Sequence, residues 1–126
     1  MTSLKSPKVS EESKAWAAAL ATEVGAWPQV ASRSFFGFTA LYRRRTIFGL
    51  LPRTRGVRTP NSLAFKLESP VPRVRILLEQ DPRVGATQVQ KARWFTFELA
   101  TDADLRDALY WLGQAHKAVG KLKESG

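Results

Sequence analysis

The chain has 126 residues, enough for one ordinary domain with a buried core and too few for two. Apolar residues make up 44% and charged residues 25%, near globular averages, so neither wholesale disorder nor a membrane protein is expected. The formal net charge is +9 and cysteine is absent, which excludes disulfides, thiolate nucleophiles and cysteine-ligated zinc together.

Residues 1–9 read as a disordered leader without the apolar stretch of a secretory signal, and a reducing cytoplasm is the expected compartment. Ser10 is placed to cap a first helix, with Glu11 and Glu12 favourable against its dipole. Trp16, Leu20 and Val24, with Ala17 and Ala21 beside them, form an apolar stripe at four-residue spacing, and Gly25 ends it. Trp27-Pro28 turns the chain into strands over 30–35, 38–42 and 46–51, with Arg43-Arg44-Arg45 at the hairpin tip between the last two. On the second of these, Phe38, Ala40 and Tyr42 share a face with the preceding Phe36, and core is their expected role. The longest apolar run, 47–51, is strand-sized and far short of the roughly 20 residues that cross a bilayer.

Residues 52–60, PRTRGVRTP, read as an exposed loop, and 62–67 as a short strand. Pro70 and Pro72 precede a short helix through Leu78, which Asp81-Pro82 stops. A strand is expected over 85–89. A clearer one spans 94–99, with Phe95, Phe97 and Leu99 on one face and Trp94, Thr96 and Glu98 on the other. Thr101 then caps the last helix, with Asp104 in the reciprocal place of a capping box. Leu105, Ala108, Leu109, Leu112, Ala115, His116 and Val119 form its inward stripe, Gly120 frays it, and 121–126 are a flexible tail. The order α-β-β-β-β-α-β-β-α with tight hairpins predicts a single α+β domain over 10–120. Its architecture is a two-layer sandwich, an antiparallel sheet with helices packed on one face.

Charge is segregated along this order. Between Arg33 and Arg75 stand ten basic residues, nine of them arginine, against the single acid Glu68, and the rest of the chain is neutral. Arginine's planar fork suits bidentate contact with phosphate or carboxylate. The bland reading is a solvated surface that keeps a small protein soluble, and an arginine-rich hairpin also guards a sheet edge against pairing.

Catalysis has no visible carrier. The one histidine, His116, sits on the inward face of the last helix, and with no cysteine a metal site would have to be built from carboxylates. Asp102, Asp104 and Asp107 cluster, but a helix start explains them through the macrodipole. No glycine-rich phosphate loop occurs, so no catalytic residue, metal or cofactor is assigned.

Phe36-Gly37-Phe38-Thr39-Ala40-Leu41-Tyr42, then Ile47-Phe48-Gly49-Leu50-Leu51 and Leu63-Ala64-Phe65-Lys66-Leu67, resemble the amino-terminal domain of TfoX/Sxy proteins and the related MmcQ/YjbR proteins. The strand from Arg93 to Leu99 with Asp104-Leu105 and the closing helix is similar to the YjbR ending, so the likeness covers about residues 27–119. Trp27-Pro28 and the tryptophan strand also resemble an uncharacterised family of luciferase-domain proteins. The YjbR resemblance implies a compact α+β fold and a DNA-binding role of double-wing type. The insert 53–60 departs from the pattern, and without the carboxy-terminal domain of full TfoX proteins no competence-regulator role carries over.

The reading that results is a non-enzymatic binding domain that meets the phosphate backbone of nucleic acid, in a sequence-tolerant way, through Arg43, Arg44, Arg45, Arg53, Arg55 and Arg58. The two clusters flank one strand of about six residues, so they are expected roughly 20 Å apart. The alternative is a module for an acidic protein partner or a small ligand, using the arginine rim and a cleft lined by Trp94 or Trp111, both off the predicted core faces. A third, an enzyme working with carboxylates alone, would need two buried carboxylates facing each other in a pocket.

Overall fold

The computed structural model describes residues 11–68, 70–86 and 94–125. The leader, the Ser10 cap and most of the strand expected over 85–89 lie outside them. Helix α1 (Glu11–Gly25) starts on its two glutamates and buries Trp16, Ala17, Leu20 and Val24, the four-residue stripe of the sequence. Strands β1 (Val30–Phe35), β2 (Phe38–Arg43), β3 (Thr46–Pro52) and β4 (Ser62–Lys66) follow. Helix α2 (Pro72–Gln80) opens on Pro72, which needs no N–H there, and buries Val74 and Leu78. Strands β5 (Val84–Ala86) and β6 (Trp94–Glu98) lead to α3 (Asp104–Ser125). The element order matches the expectation. The six strands form one antiparallel sheet in the order β1-β2-β3-β4-β6-β5.

One face of this sheet carries the helices. Phe65 stacks on Trp111 of α3 with ring centroids 5.5 Å apart, and a β-carbon on Gly49 would stand 2.9 Å from Leu112 and 3.2 Å from Leu41. Directly opposed residues of antiparallel strands share a face, so Leu41, Gly49, Phe65 and Phe95 all point at the helices, with Leu63 and Phe97 one step further along. A bulge adds Phe48 to this set. Leu41 opposes Gly49 while Tyr42 opposes Ile47, which leaves Phe48 as the extra residue, turned toward His116. Phe48, Phe65, Phe97, Leu41, Leu51 and Leu63 are completely buried against Leu20, Val24 and Leu112.

Alternation assigns Phe38, Ala40 and Tyr42 to the face away from the helices, where Phe38 and Ala40 are buried as expected while Tyr42 is only half-buried. Phe36 is in neither layer. It occupies the β1–β2 turn and is 79% exposed. Trp111 is a correction of the opposite kind: expected off the core face, it is buried between Phe65 and Tyr110. Helix α3 also runs through Gly120 to Ser125 instead of ending at the glycine.

The aspartates at the start of α3 are held in two ways. Asp104 Oδ2 accepts the backbone N–H groups of Ala100 and Thr101 at 2.7 and 2.9 Å, the reciprocal arm of the expected capping box. Its Oδ1 accepts Arg83 Nη1 at 2.7 Å, and the same guanidinium reaches Asp81 at 2.9 Å and Asp107 at 2.8 Å while lying 4.8 Å from the Phe97 ring centre. Arg83 thus joins the β5 edge to α3. Burial alone would raise the Asp81 carboxyl, but the hydrogen bonds and charge of Arg83 outweigh it and hold it below its ordinary value. Burial likewise opposes ionisation of Asp104, and the Ala100 and Thr101 amides with Arg83 bring it below the usual range. Bonds from Asp81 and Asp107, more than burial, raise the Arg83 pKa further.

Carboxylates depressed in the folded state stabilise it fully above their unfolded pKa of about 4, and that stability drains away as pH falls through the lower folded values. Arg83→Gln is expected to lower stability near neutral pH by about 2 to 3 kcal/mol, since the Asp81 and Asp104 carboxylates lose their partner. It should also flatten the loss of stability below about pH 4. Urea unfolding at neutral and acid pH measures both effects.

Candidate functional site

The face opposite the helices is laid out in rows by the strand register. The central row runs Arg33, Ala40, Leu50, Ala64, Thr96, Gly85, small residues for most of its length. On one side of it lie Ala31, Tyr42 and Ile47, with Lys66 and Trp94 further across the sheet, and on the other Phe35, Phe38, Pro52, Ser62 and Glu98. Guanidinium groups rise from this floor. Arg33 lies over the Tyr42 ring at 5.7 Å and Arg55 over the Phe38 ring at 5.0 Å, which keeps the apolar ring faces covered and the cations in place. Arg44 and Arg45 join Ala31, Arg33 and Tyr42 around a surface hollow of about 290 Å3. Arg58 extends over Gly85 beside Thr96.

Two of the six sequence-selected arginines are turned elsewhere. Arg43, at the end of β2, donates Nη1 to the His116 carbonyl at 2.8 Å and Nε to Gln29 Oε1 at 3.2 Å, so its charge lies against α3. Gly120 makes this possible, because a β-carbon there would collide with the Arg43 guanidinium. Arg53 donates to the Ser34 hydroxyl, at the end of the sheet beside the β1–β2 turn. Arg44, Arg45, Arg55 and Arg58 are therefore brought to one face, and Arg33, absent from the sequence selection, belongs with them. Its signal was in the strand alternation: Arg33 shares a face with Ala31 and Phe35, diagonal to Tyr42.

Local hydrogen bonds position these groups. In the β2–β3 turn Arg44 has a φ of 59°, and its N–H donates to the Gln29 carbonyl at 2.9 Å. The loop after β3 is exposed as expected at Arg53, Thr54, Arg55 and Arg58, yet it is tightly tied. The amides of Arg53 and Thr54 both donate to Gly37, and Ser62 Oγ accepts the amides of Arg58 and Thr59 while donating to the Thr59 carbonyl. Thr59 in turn donates to Glu98.

Among the described residues, none of Arg33, Arg44, Arg45, Arg53, Arg55 and Arg58 is ion-paired. Five carboxylates are ion-paired with other cations, Glu68 with Lys66, Glu11 with Lys14, and Asp81, Asp104 and Asp107 with Arg83. Asp102 accepts the Trp16 indole N–H. Asp81 and Asp104, the carboxylates with the least exposed side chains in the ion pairs, face one guanidinium and not each other. No group of three or more metal-ligating side chains occurs among the described residues. His116 is buried with Trp27 and Phe48 edge-on to it, and its Nε2 donates to the Pro28 carbonyl at 2.9 Å.

The two candidate tryptophans lie on opposite sides of the sheet. Trp111 borders a cavity of about 350 Å3 with Leu77, Asp81, Arg83, Asp107 and Tyr110 on the helical side. Trp94 is half-buried on the face that bears Lys66 and Thr96. No helix among the described residues is long and apolar enough to cross a membrane. Comparison with family models, with curated proteins and with solved structures finds no match to this chain.

The Arg43–Gly120 contact predicts a sign. Gly120→Ala gains about 1 kcal/mol of helix propensity but displaces the guanidinium from the His116 carbonyl, a loss of about 1.5 to 3 kcal/mol. The substitution should be destabilising by about 0.5 to 2 kcal/mol in the parent and stabilising by about 1 kcal/mol in an Arg43→Ala background. Thermal unfolding of the four proteins in this cycle measures the coupling.

Proposed function

We propose that this chain is a nucleic-acid-binding domain whose contacts are made to the phosphate backbone from the sheet face opposite its helices. Arg33, Arg44 and Arg45 serve at one end and Arg55 and Arg58 at the other, with Arg53 at the adjoining turn. The observation that carries this reading is the contrast between cations. Arg83 and Lys66 are neutralised by the chain's own carboxylates, whereas these six exposed guanidiniums have no such partner among the described residues. Guanidiniums without a carboxylate partner, five of them on one face and Arg53 at its end, suit a repeating polyanion better than a single small anion. The cation–π pairs Arg33–Tyr42 and Arg55–Phe38 support it further, since each holds a guanidinium charge over this sheet face without neutralising it. Nothing in this arrangement selects one base over another, so binding is sequence-tolerant. The double-wing role implied by the YjbR resemblance is of the same kind.

With about five phosphates engaged on duplex DNA, log affinity against log salt should fall with a slope of about −4 to −5. Arg44→Ala/Arg45→Ala and Arg55→Ala/Arg58→Ala should each reduce that slope by about 2, as two phosphate contacts are removed at one end or the other. Fluorescence anisotropy with random-sequence oligonucleotides over a salt series is the measurement. A slope near zero for the parent, or double variants that bind as it does, overturns the proposal.

A further inference from the structure

The β1–β2 turn presents a residue that its conformation disfavours. Phe36 and Gly37 form a two-residue loop between the paired residues Phe35 and Phe38, with φ of 48° and 88°. Positive φ at both central positions is the type I′ pattern, in which asparagine and glycine are the residues of least strain. Gly37 meets that demand, and it also leaves room for Arg55, whose Cγ would lie 2.8 Å from a β-carbon there. Phe36 does not meet it, because a bulky side chain in the left-handed region is a genuine outlier. Burial does not compensate, since the ring is 79% exposed. It is nonetheless held in place, packed edge-on against Phe35 at 4.8 Å, with Phe35 itself 39% exposed.

The surroundings of this ring say what it meets. Arg53 donates to Ser34, two residues before it, and the aliphatic stem of Arg55 passes Gly37, directly after it, to set its guanidinium over Phe38, so both arginines stand close to the turn. Phe35 and Phe38 continue from it onto the sheet face, where Arg55 and then Tyr42 with Arg33 follow. An exposed aromatic ring beside cations without a carboxylate partner matches a chain that joins base to phosphate, and an aromatic face is available to a base only when that base is unpaired. A bilayer fits less well, because taking Phe36 into hydrocarbon would carry the nearby guanidiniums with it.

We infer that Phe36 is a stacking platform for an unpaired base, so that the preferred ligand of this face is single-stranded nucleic acid, its phosphates met by Arg53 and Arg55. This rests on the phosphate-binding reading above and adds the strandedness of the ligand. Phe36→Asn separates the stacking role from the fold, because asparagine suits the left-handed turn. Its melting temperature should equal or exceed the parent's. Binding is then measured with a single-stranded oligonucleotide carrying 2-aminopurine, a blunt duplex, and vesicles of phosphatidylserine. The parent should quench the 2-aminopurine, and Phe36→Asn should lose the quench and on the order of tenfold to a hundredfold in single-strand affinity. Duplex affinity and the salt slope should stay unchanged, and Phe36→Trp should restore both quench and affinity. Single-strand binding by Phe36→Asn equal to the parent's, with a steep salt slope retained, overturns the stacking role and leaves the phosphate reading standing. Loss confined to vesicle binding overturns it in favour of membrane insertion. A parent that binds neither strand nor duplex overturns both readings.

Discussion

The packing of Phe48, Phe65 and Phe97 against α1 and α3 decides everything else about this molecule, because it makes the two faces of the sheet unequal. Once the large side chains of alternate positions are committed to the helices, the intervening positions must face the other way. There the chain places Ala40, Ala64, Thr96 and Gly85 as a floor, with Phe38 and Tyr42 as supports for arginine. The bulge at Phe48 reinforces the asymmetry, since it lets two consecutive residues of β3 serve the helical side while Tyr42 and Ile47 stay paired on the other. A shift of one residue in that register would turn Leu41 away from the helices.

Much of the fold was legible from periodicity alone. The four-residue stripe of α1, the alternation around Phe95 and Phe97, and the prolines around α2 each had one consistent structural solution, and the element order followed. Which face of β2 was inward was not legible. Alternation says that Phe38, Ala40 and Tyr42 go together, but only their partners on β1 and β3, and the helices beyond, say where they go. Trp111 was misplaced for a related reason, because the apolar stripe of α3 is broad enough to include it once Phe65 is found beneath. Gly120 looked like a helix end because glycine often is one. Its actual role depends on an arginine 77 residues earlier in the chain, which no local rule could connect to it.

The candidate site shows the same division. Composition located the cations in the middle of the chain and turn residues located the loops, but a run of three arginines reads as one cluster in sequence. In the fold, adjacent residues of that run part company: Arg43 serves the helical layer, while Arg44 and Arg45 stand on the far side with Arg33. The loop after β3 looked loose from its prolines and glycine, yet Ser62 and the Gly37 carbonyl gather its amides. Its arginines are presented from a defined frame.

That frame has a thermodynamic meaning. Arg43, pinned to the His116 carbonyl, and the Arg44 amide, pinned to Gln29, fasten the β2–β3 hairpin to the rest of the protein at its very tip. Side chains carried on so short and tethered a turn have little backbone freedom left to surrender when they engage a ligand, so association draws on their electrostatic attraction nearly undiminished by ordering costs. The arginine that points inward thereby sharpens the two that point out.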